Sequence, residues 1–236
     1  MEAQAAAWGL RLDGGRCARL QEYARLLAHY DRANVIGTKD EGTIMLAHVL
    51  DSLSCFLHEP LSRAGRLADV GSGGGLPGIP IKIMKPELAT TLVESTSKKA
   101  RFLQYAVDSL RLGGVEVANK RAEDLGRSRA HRGAYDVVTS RAVARLSVVA
   151  EYCVPLLEVG GFAIAMKGMM DTGELEEGNR AVEALGAKVA KIAEVPMLPE
   201  VGEKERNLVI IEKTQQTPAR YPRRSGVAAK RPLGVG

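Results

Sequence analysis

From Arg66 to Lys213 short apolar runs alternate with amphipathic stretches, and this rhythm constrains the fold more than any other feature of the chain. "RLADVG", "ATTLVES", "VEVANKR", "AYDVVTSR" and "GGFAIAMKG" read as strands. Between them "PGIPIKIMKPE", "KKARFLQYAVDSLRLGG", "LSVVAEYCVPLLE" and "TGELEEGNRAVEALG" read as helices, the third bent at Pro155. "AKVAKIAEVPM" and "RNLVIIEK" end the series as neighbouring antiparallel strands. A strand that returns through a helix pairs parallel to its predecessor. The expected architecture is therefore α/β, a mostly parallel seven-stranded sheet with helices on both faces. Ligands of such sheets bind beyond the carboxyl ends of the strands, where Gly71, Glu94, Glu123, Ser140 and Arg141 would meet.

Residues 1–60 read as a helical segment packed on this core of residues 61–213. Leu20, Tyr23, Leu27 and Tyr30 share one face, and Ile44, Ala47, Leu50 and Leu57 share another. Asp40 to Thr43 offer caps and Pro60 would close the second helix. Aromatics make up only 4% of the chain, so the core must be built from Leu, Val, Ile and Ala. No apolar run approaches the roughly 20 residues that span a bilayer, so no membrane partner is expected. Glu2 and the lack of a basic start argue against a signal peptide. Cys17, Cys55 and Cys153 lie far apart, which predicts neither a disulfide nor a metal site and fits a reducing cytoplasm. The chain carries 33 basic and 28 acidic side chains, yet six of the basic ones fall after residue 212 among no acids. The body is thus almost neutral, and residues 214–236 form a basic tail suited to a phosphate-rich partner.

The loop after the first strand, "DVGSGGGLPG", can be read in two frames. Gly73, Gly75 and Gly78 satisfy G-x-G-x-x-G, the dinucleotide pattern. Asp69 followed by Gly71, Gly73 and Gly75 satisfies D-x-G-x-G-x-G, which is similar to the first motif of S-adenosylmethionine-dependent methyltransferases. A carboxylate before the first glycine suits an ammonium or sulfonium better than a pyrophosphate, which favours the second frame. Glu94 could accept from ribose hydroxyls in either case, and Ala122 with Glu123 stands where an adenine edge would be read.

Absences narrow the methyl acceptor. Cys153 lies within an apolar helix and reads as a core residue, not as the nucleophile that cytosine-C5 chemistry needs. The Asn/Asp-Pro-Pro-aromatic stretch common in exocyclic-amine enzymes is replaced by "VVTSRAVARL". An atom with a free lone pair, such as guanine N7, needs alignment and no general base. Ser140, Arg141 and Lys167 are the candidate catalytic residues, with Arg141 able to grip cofactor or phosphate. Ribose 2′-O methylation, with Lys167 as base, stays open as the alternative.

Together these segments resemble the bacterial 16S rRNA guanine-N7 methyltransferase family, RsmG or GidB. "NVIGTKDEGTIMLAHVLDSL", "DVGSGGGLPGIPI", "SKKARFL", "RAEDL", "VVTSRAVARL", "AMKG" and "RYPRRSGVAAKRPL" follow in that family's order. "NVIGT", Gly74 and Ser225 depart from its pattern, Ser225 in a way that would loosen the tail. The resemblance implies a Rossmann-like class I methyltransferase fold with S-adenosylmethionine against Gly71, Leu76, Glu94, Ser95, Thr96, Ala122, Glu123 and Arg141. It implies a guanine in the decoding-site region of 16S rRNA as substrate, met as RNA or small ribosomal subunit by a monomeric enzyme. A non-catalytic assembly factor is the opposing class. In the tail, Tyr221 among Arg220, Arg223 and Arg224, followed by Lys230 and Arg231, is the mixture expected of an RNA-binding loop, kept extended by Pro218, Pro222 and Pro232. His48, with Asp51 and Asn34, would line the RNA side of the cleft.

Overall fold

The computed structural model describes residues 2–196 and 205–235. Seven strands, β1 (Arg66–Val70), β2 (Ala89–Val93), β3 (Val115–Ala118), β4 (Tyr135–Arg141), β5 (Leu157–Lys167), β6 (Ala187–Glu194) and β7 (Asn207–Lys213), form one sheet. Their spatial order is β3-β2-β1-β4-β5-β7-β6. β1 pairs parallel with β2 and β4, while β7 runs antiparallel to both β5 and β6. The expected mostly parallel sheet is present, with the final antiparallel pair. The order of strands reverses between β1 and β4, which opens a crevice over their carboxyl ends. Met197, read as the end of the sixth strand, lies outside the described residues, as do Met1 and Gly236 of the terminal segments.

The helices are α1 (Glu2–Ala7), α2 (Gly14–His29), α3 (Glu41–Thr43), α4 (Asp51–Leu53), α5 (Pro60–Arg63), α6 (Gly78–Met84), α7 (Ser97–Ser109), α8 (Ala122–Arg127), α9 (Leu146–Cys153), α10 (Thr172–Ala184) and α11 (Val227–Lys230). Successive strand residues point to opposite faces, so Leu67 and Val137 join one apolar cluster while Ala68 and Val138 join the other. The first cluster is completed by Leu20, Tyr23 and Leu27 of α2, the second by Val149 of α9 and Val182 of α10. Burial on both faces is why the strands read as continuous apolar runs.

Three local expectations are corrected. Asp40 does cap the second helical segment, accepting from the Thr43 amide at 2.7 Å, but the segment is not a uniform α-helix. Ile44–Leu50 is a π-helix and Ser54–Leu57 a 3₁₀ turn. Changing the residues per turn rotates the buried face, so Val49, Leu53 and Cys55 are buried and Leu57 is 41% exposed. Pro60 opens α5 and does not close what precedes it. At Pro155, α9 tightens into the 3₁₀ turn Val154–Leu156, so Leu157 and Glu158, read as helix, begin β5. Helix α8 escaped the sequence reading because six residues are too few to show a period.

Candidate active site

The glycine loop is organised from beneath by Asp69. This side chain is fully buried, and burial raises its pKa against the pull of its hydrogen bonds. It accepts from the Ser72 hydroxyl at 2.5 Å, the Thr139 hydroxyl at 2.9 Å and the Gly78 amide at 3.1 Å. All these donors belong to the protein, so Asp69 shapes the loop instead of facing a ligand ammonium, a correction to its expected role. Two glycines are required by geometry. Gly71 has φ +71°, and a Cβ there would meet the Val143 side chain at 2.5 Å. A Cβ on Gly78 would strike Leu92 at 2.6 Å and Asp69 at 2.8 Å, so only glycine lets α6 approach β1 and β2. Gly73 and Gly75 also lie at positive φ, and Leu76 is buried behind the loop.

Above Gly71 lies a cavity of about 220 Å³ lined by Glu94, Ser95, Ala122, Glu123 and Tyr152, with Lys120 and Arg121 at its edge. The Glu94 carboxylate accepts from the Gly73 amide at 3.0 Å and the Thr96 amide at 2.7 Å. Each oxygen keeps a lone pair for a further donor, which fits a diol. Thr96 itself is the N-cap of α7. The residues present therefore fit a nucleoside: a carboxylate with spare acceptors beside a bare backbone turn. Lys120 and Arg121 were missed in the sequence because the strand-to-helix step after β3 was not resolved there.

The C-terminal tail forms the far wall of this cavity, through Ala229. The Gly226 amide donates to Glu123 at 2.8 Å, and the Ser225 hydroxyl to Asp124 at 2.7 Å. Ser225, expected to loosen the tail, tethers it. Arg223 donates through Nε and Nη2 to the fully buried Glu151, the shortest contact being 2.6 Å, and its amide donates to the same carboxylate. Those hydrogen bonds hold the Arg223 guanidinium above its ordinary range. Arg132 donates to the carbonyls of Tyr221 at 2.7 Å and Thr217 at 2.8 Å. Tyr221 is 8% exposed with Arg220 over its ring, so it is no stacking platform. The readings of Tyr221 and Arg223 as RNA contacts are thus corrected: Arg223 fastens the tail to α9 through Glu151, and Tyr221 is buried in the apolar cluster that also holds Leu125 of α8 and Val149 of α9. Nor is the tail extended throughout, since α11 turns within it. Arg220, Arg224, Lys230 and Arg231 remain exposed.

A second cavity, of about 240 Å³, opens at the ends of β4, β5 and β7. Asp51, 6% exposed, accepts from Arg141 at 3.1 Å and pairs with Arg206 at 3.5 Å. The His48 Nδ1 stands 3.4 Å from the same guanidinium. Burial first, then Arg141 and Arg206, lower the His48 pKa to about 4, so its ring is neutral at pH 7. Lys167 donates to the Ala144 carbonyl and to Glu174, both at 2.7 Å. Ser140 is 3% exposed, and its hydroxyl has no hydrogen-bond partner among the described residues. Asn34 lies on the exposed stretch after α2, away from the residues lining this cavity. Arg206 was not foreseen, because nothing local shows that β7 inserts beside β5. The two cavities share the turn after β4: Val143 and Ala144 line the first, Arg141 and Ala142 the second. Cys153 is buried and its thiol pKa pushed up, which leaves no nucleophile there. No helix among the described residues is long and apolar enough to cross a membrane.

Residues 16–209 match the GidB family, described as rRNA small subunit methyltransferase G. A ribosomal RNA small subunit methyltransferase G of Rubrobacter xylanophilus is 59% identical over 98% of this chain and 88% of its own length. A protein of the same description from Roseiflexus sp. is 44% identical over 97% of each chain. Among solved structures, an O-methyltransferase family protein from Burkholderia thailandensis aligns at TM-score 0.55 and 15% identity, covering 74% of this chain and 58% of its own. The mitomycin 7-O-methyltransferase MmcR aligns at TM-score 0.57 and 13% identity, covering 85% and 68%. At such identities these two show the class I methyltransferase fold alone. The two full-length relatives and the family match carry more: the chain belongs to the rRNA small subunit methyltransferase G family.

Proposed function

We propose that this protein transfers a methyl group from S-adenosylmethionine to N7 of a guanine in the decoding-site region of 16S rRNA. The observation that carries the reading is the pair of cavities joined at the Arg141–Ala144 turn, on a chain related along nearly its whole length to methyltransferases of small-subunit rRNA. The glycine-loop cavity holds the donor, with Gly71 allowing close approach, Glu94 accepting from the ribose, and Ala122 and Glu123 beside the adenine. When bound, the donor supplies an electrophilic methyl on a sulfonium. The His48 cavity holds the guanine. Its neutral imidazole and its Asp51 carboxylate offer acceptors to the base, while Arg141, paired with Asp51, braces the cavity wall and Lys167, paired with Glu174, keeps the Ala144 backbone in place. N7 already carries a lone pair, so this chain need move no proton and only aligns the acceptor with the methyl carbon and sulfur.

The alternative, 2′-O methylation, requires Lys167 as a base. Its ammonium is already engaged as donor to both Glu174 and the Ala144 carbonyl, which favours a positioning role. In this reading residues 1–60 and the exposed tail cations Arg220, Arg224, Lys230 and Arg231 flank the RNA, residues 61–213 hold the donor, and the protein acts as a monomer in the cytoplasm. The test incubates protein, labelled donor and unmethylated small subunits, then maps the modified nucleotide. Label at guanine N7 is expected; label on a ribose oxygen or an exocyclic amine would sink the assignment. Absence of donor binding by titration would leave the assembly-factor reading in its place.

A further inference from the structure

Outside both cavities, a groove of about 770 Å³ runs between α2 and α7. Arg25 and His29 on its α2 side are held by Glu41, at 3.7 and 3.0 Å. Arg32, Lys98 and Arg101 are exposed and make no hydrogen bond or ion pair among the described residues. Glu22 and Asp31 also border the groove and leave it net positive. Tyr105 lies in it 47% exposed, its ring 5.8 Å from that of Tyr30. Tyr30 in turn sits edge-on to the fully buried Phe102 at 4.8 Å, so the exposed ring is anchored to the core. Lys98, Arg101 and Tyr105 are spaced three and four apart, which puts them on one face of α7 over ~10 Å. Helix α2, which walls the groove, also touches the glycine loop. Tyr23 of α2 donates to the Gly74 carbonyl at 2.6 Å, and the Val35 carbonyl lies against the same glycine.

We infer that this groove binds single-stranded RNA flanking the target guanine, with one base stacked on Tyr105 and phosphates on Arg32, Lys98 and Arg101. The inference rests on the proposed rRNA methylation. Unpaired cations around a ring held rigid from behind suit a polyanion with exposed π-faces. A folded acidic protein would need no such ring, and a membrane surface would not enter a groove between two helices.

The test uses anisotropy of a fluorescein-labelled single-stranded RNA spanning the decoding-site sequence, with methyl transfer to small subunits and donor titration in parallel. Tyr105→Ala should weaken RNA binding about 5- to 150-fold, while Tyr105→Phe should bind like the parent. Combining Arg32→Ala, Lys98→Ala and Arg101→Ala should reduce the salt slope of log K by about 2, roughly 0.7 for each phosphate released. Donor affinity should not change in any of these variants. Unchanged RNA affinity and slope in the variants, with a parent that methylates subunits, would overturn the groove alone. Loss of affinity for subunits but not for RNA would also overturn it, and make a ribosomal protein the occupant. A parent that labels no rRNA would instead defeat the reading on which the groove rests.

Discussion

The C-terminal tail and the α2–α7 groove are both basic, yet they use charge in opposite ways. Where the tail leaves β7, Lys213 is buried against the Val154 and Leu157 carbonyls, and burial, with Arg132 adding to it, lowers its pKa to about 8. Arg223 is committed to Glu151, and the one aromatic ring is covered. In the groove Arg32, Lys98 and Arg101 face solvent and Tyr105 is open. The same residue types, counted along the sequence, point to the tail as the nucleic-acid contact. Counted by what each side chain touches, part of the tail is a clasp that walls the glycine-loop cavity. A cation already paired with a buried carboxylate has little to offer a phosphate, since releasing it would strand the carboxylate.

The sharpest way to break this contrast is Arg223→Ala. It leaves Glu151, which is fully buried, without its counter-ion. The expected loss is about 3–5 kcal/mol of stability, seen as a fall of about 6–20 °C in Tm. A Tm within a degree of the parent would return Arg223 to the role of a free RNA ligand. Next in size is a pH effect at the His48 cavity, where burial and two guanidinium groups disfavour a proton on the imidazole. The folded-state pKa of His48 is depressed from 6.5 to about 4 by burial and by Arg141 and Arg206, with Asp51 facing the same guanidinium groups. The unfolded chain therefore binds the proton first as pH falls. Stability from this group is complete above pH 6.5 and is lost through to pH 4, by about 1–3 kcal/mol. Denaturant titrations of the parent and of His48→Gln should diverge across that window, and parallel curves would contradict the buried, neutral imidazole. The smallest effect on folding comes from combining Arg224→Ala, Lys230→Ala and Arg231→Ala. Stability should stay within about 0.5 kcal/mol, while the RNA salt slope falls by about 2. An unchanged slope would make the groove, and no part of the tail, the flanking RNA contact.

Much of the sheet was legible because burial on both faces leaves period-two strands as apolar runs, and crossover helices restore a 3.6 period between them. The glycine frame was legible for a related reason. Gly71 and Gly78 report steric demands of the backbone, and these are local. What misled was Asp69, correctly located at the strand end but turned inward by Ser72, Thr139 and Gly78, partners up to 70 residues away. The face of the 41–57 segment was misread at Leu57, because a π turn in midcourse changes the period on which the reading relied.

The amino-acid sequence by itself determined the α/β alternation, the bare turn after β1 and the carboxylate at the end of β2, since each follows from periodicity, sterics or the chemistry of a single position. Only the tertiary structure decided that Glu151 takes Arg223, that Arg206 joins Asp51 beside β5, and that Tyr105 is the open ring while Tyr221 is covered. Those outcomes depend on which distant surfaces meet when two apolar clusters close around the sheet, and no local pattern encodes that.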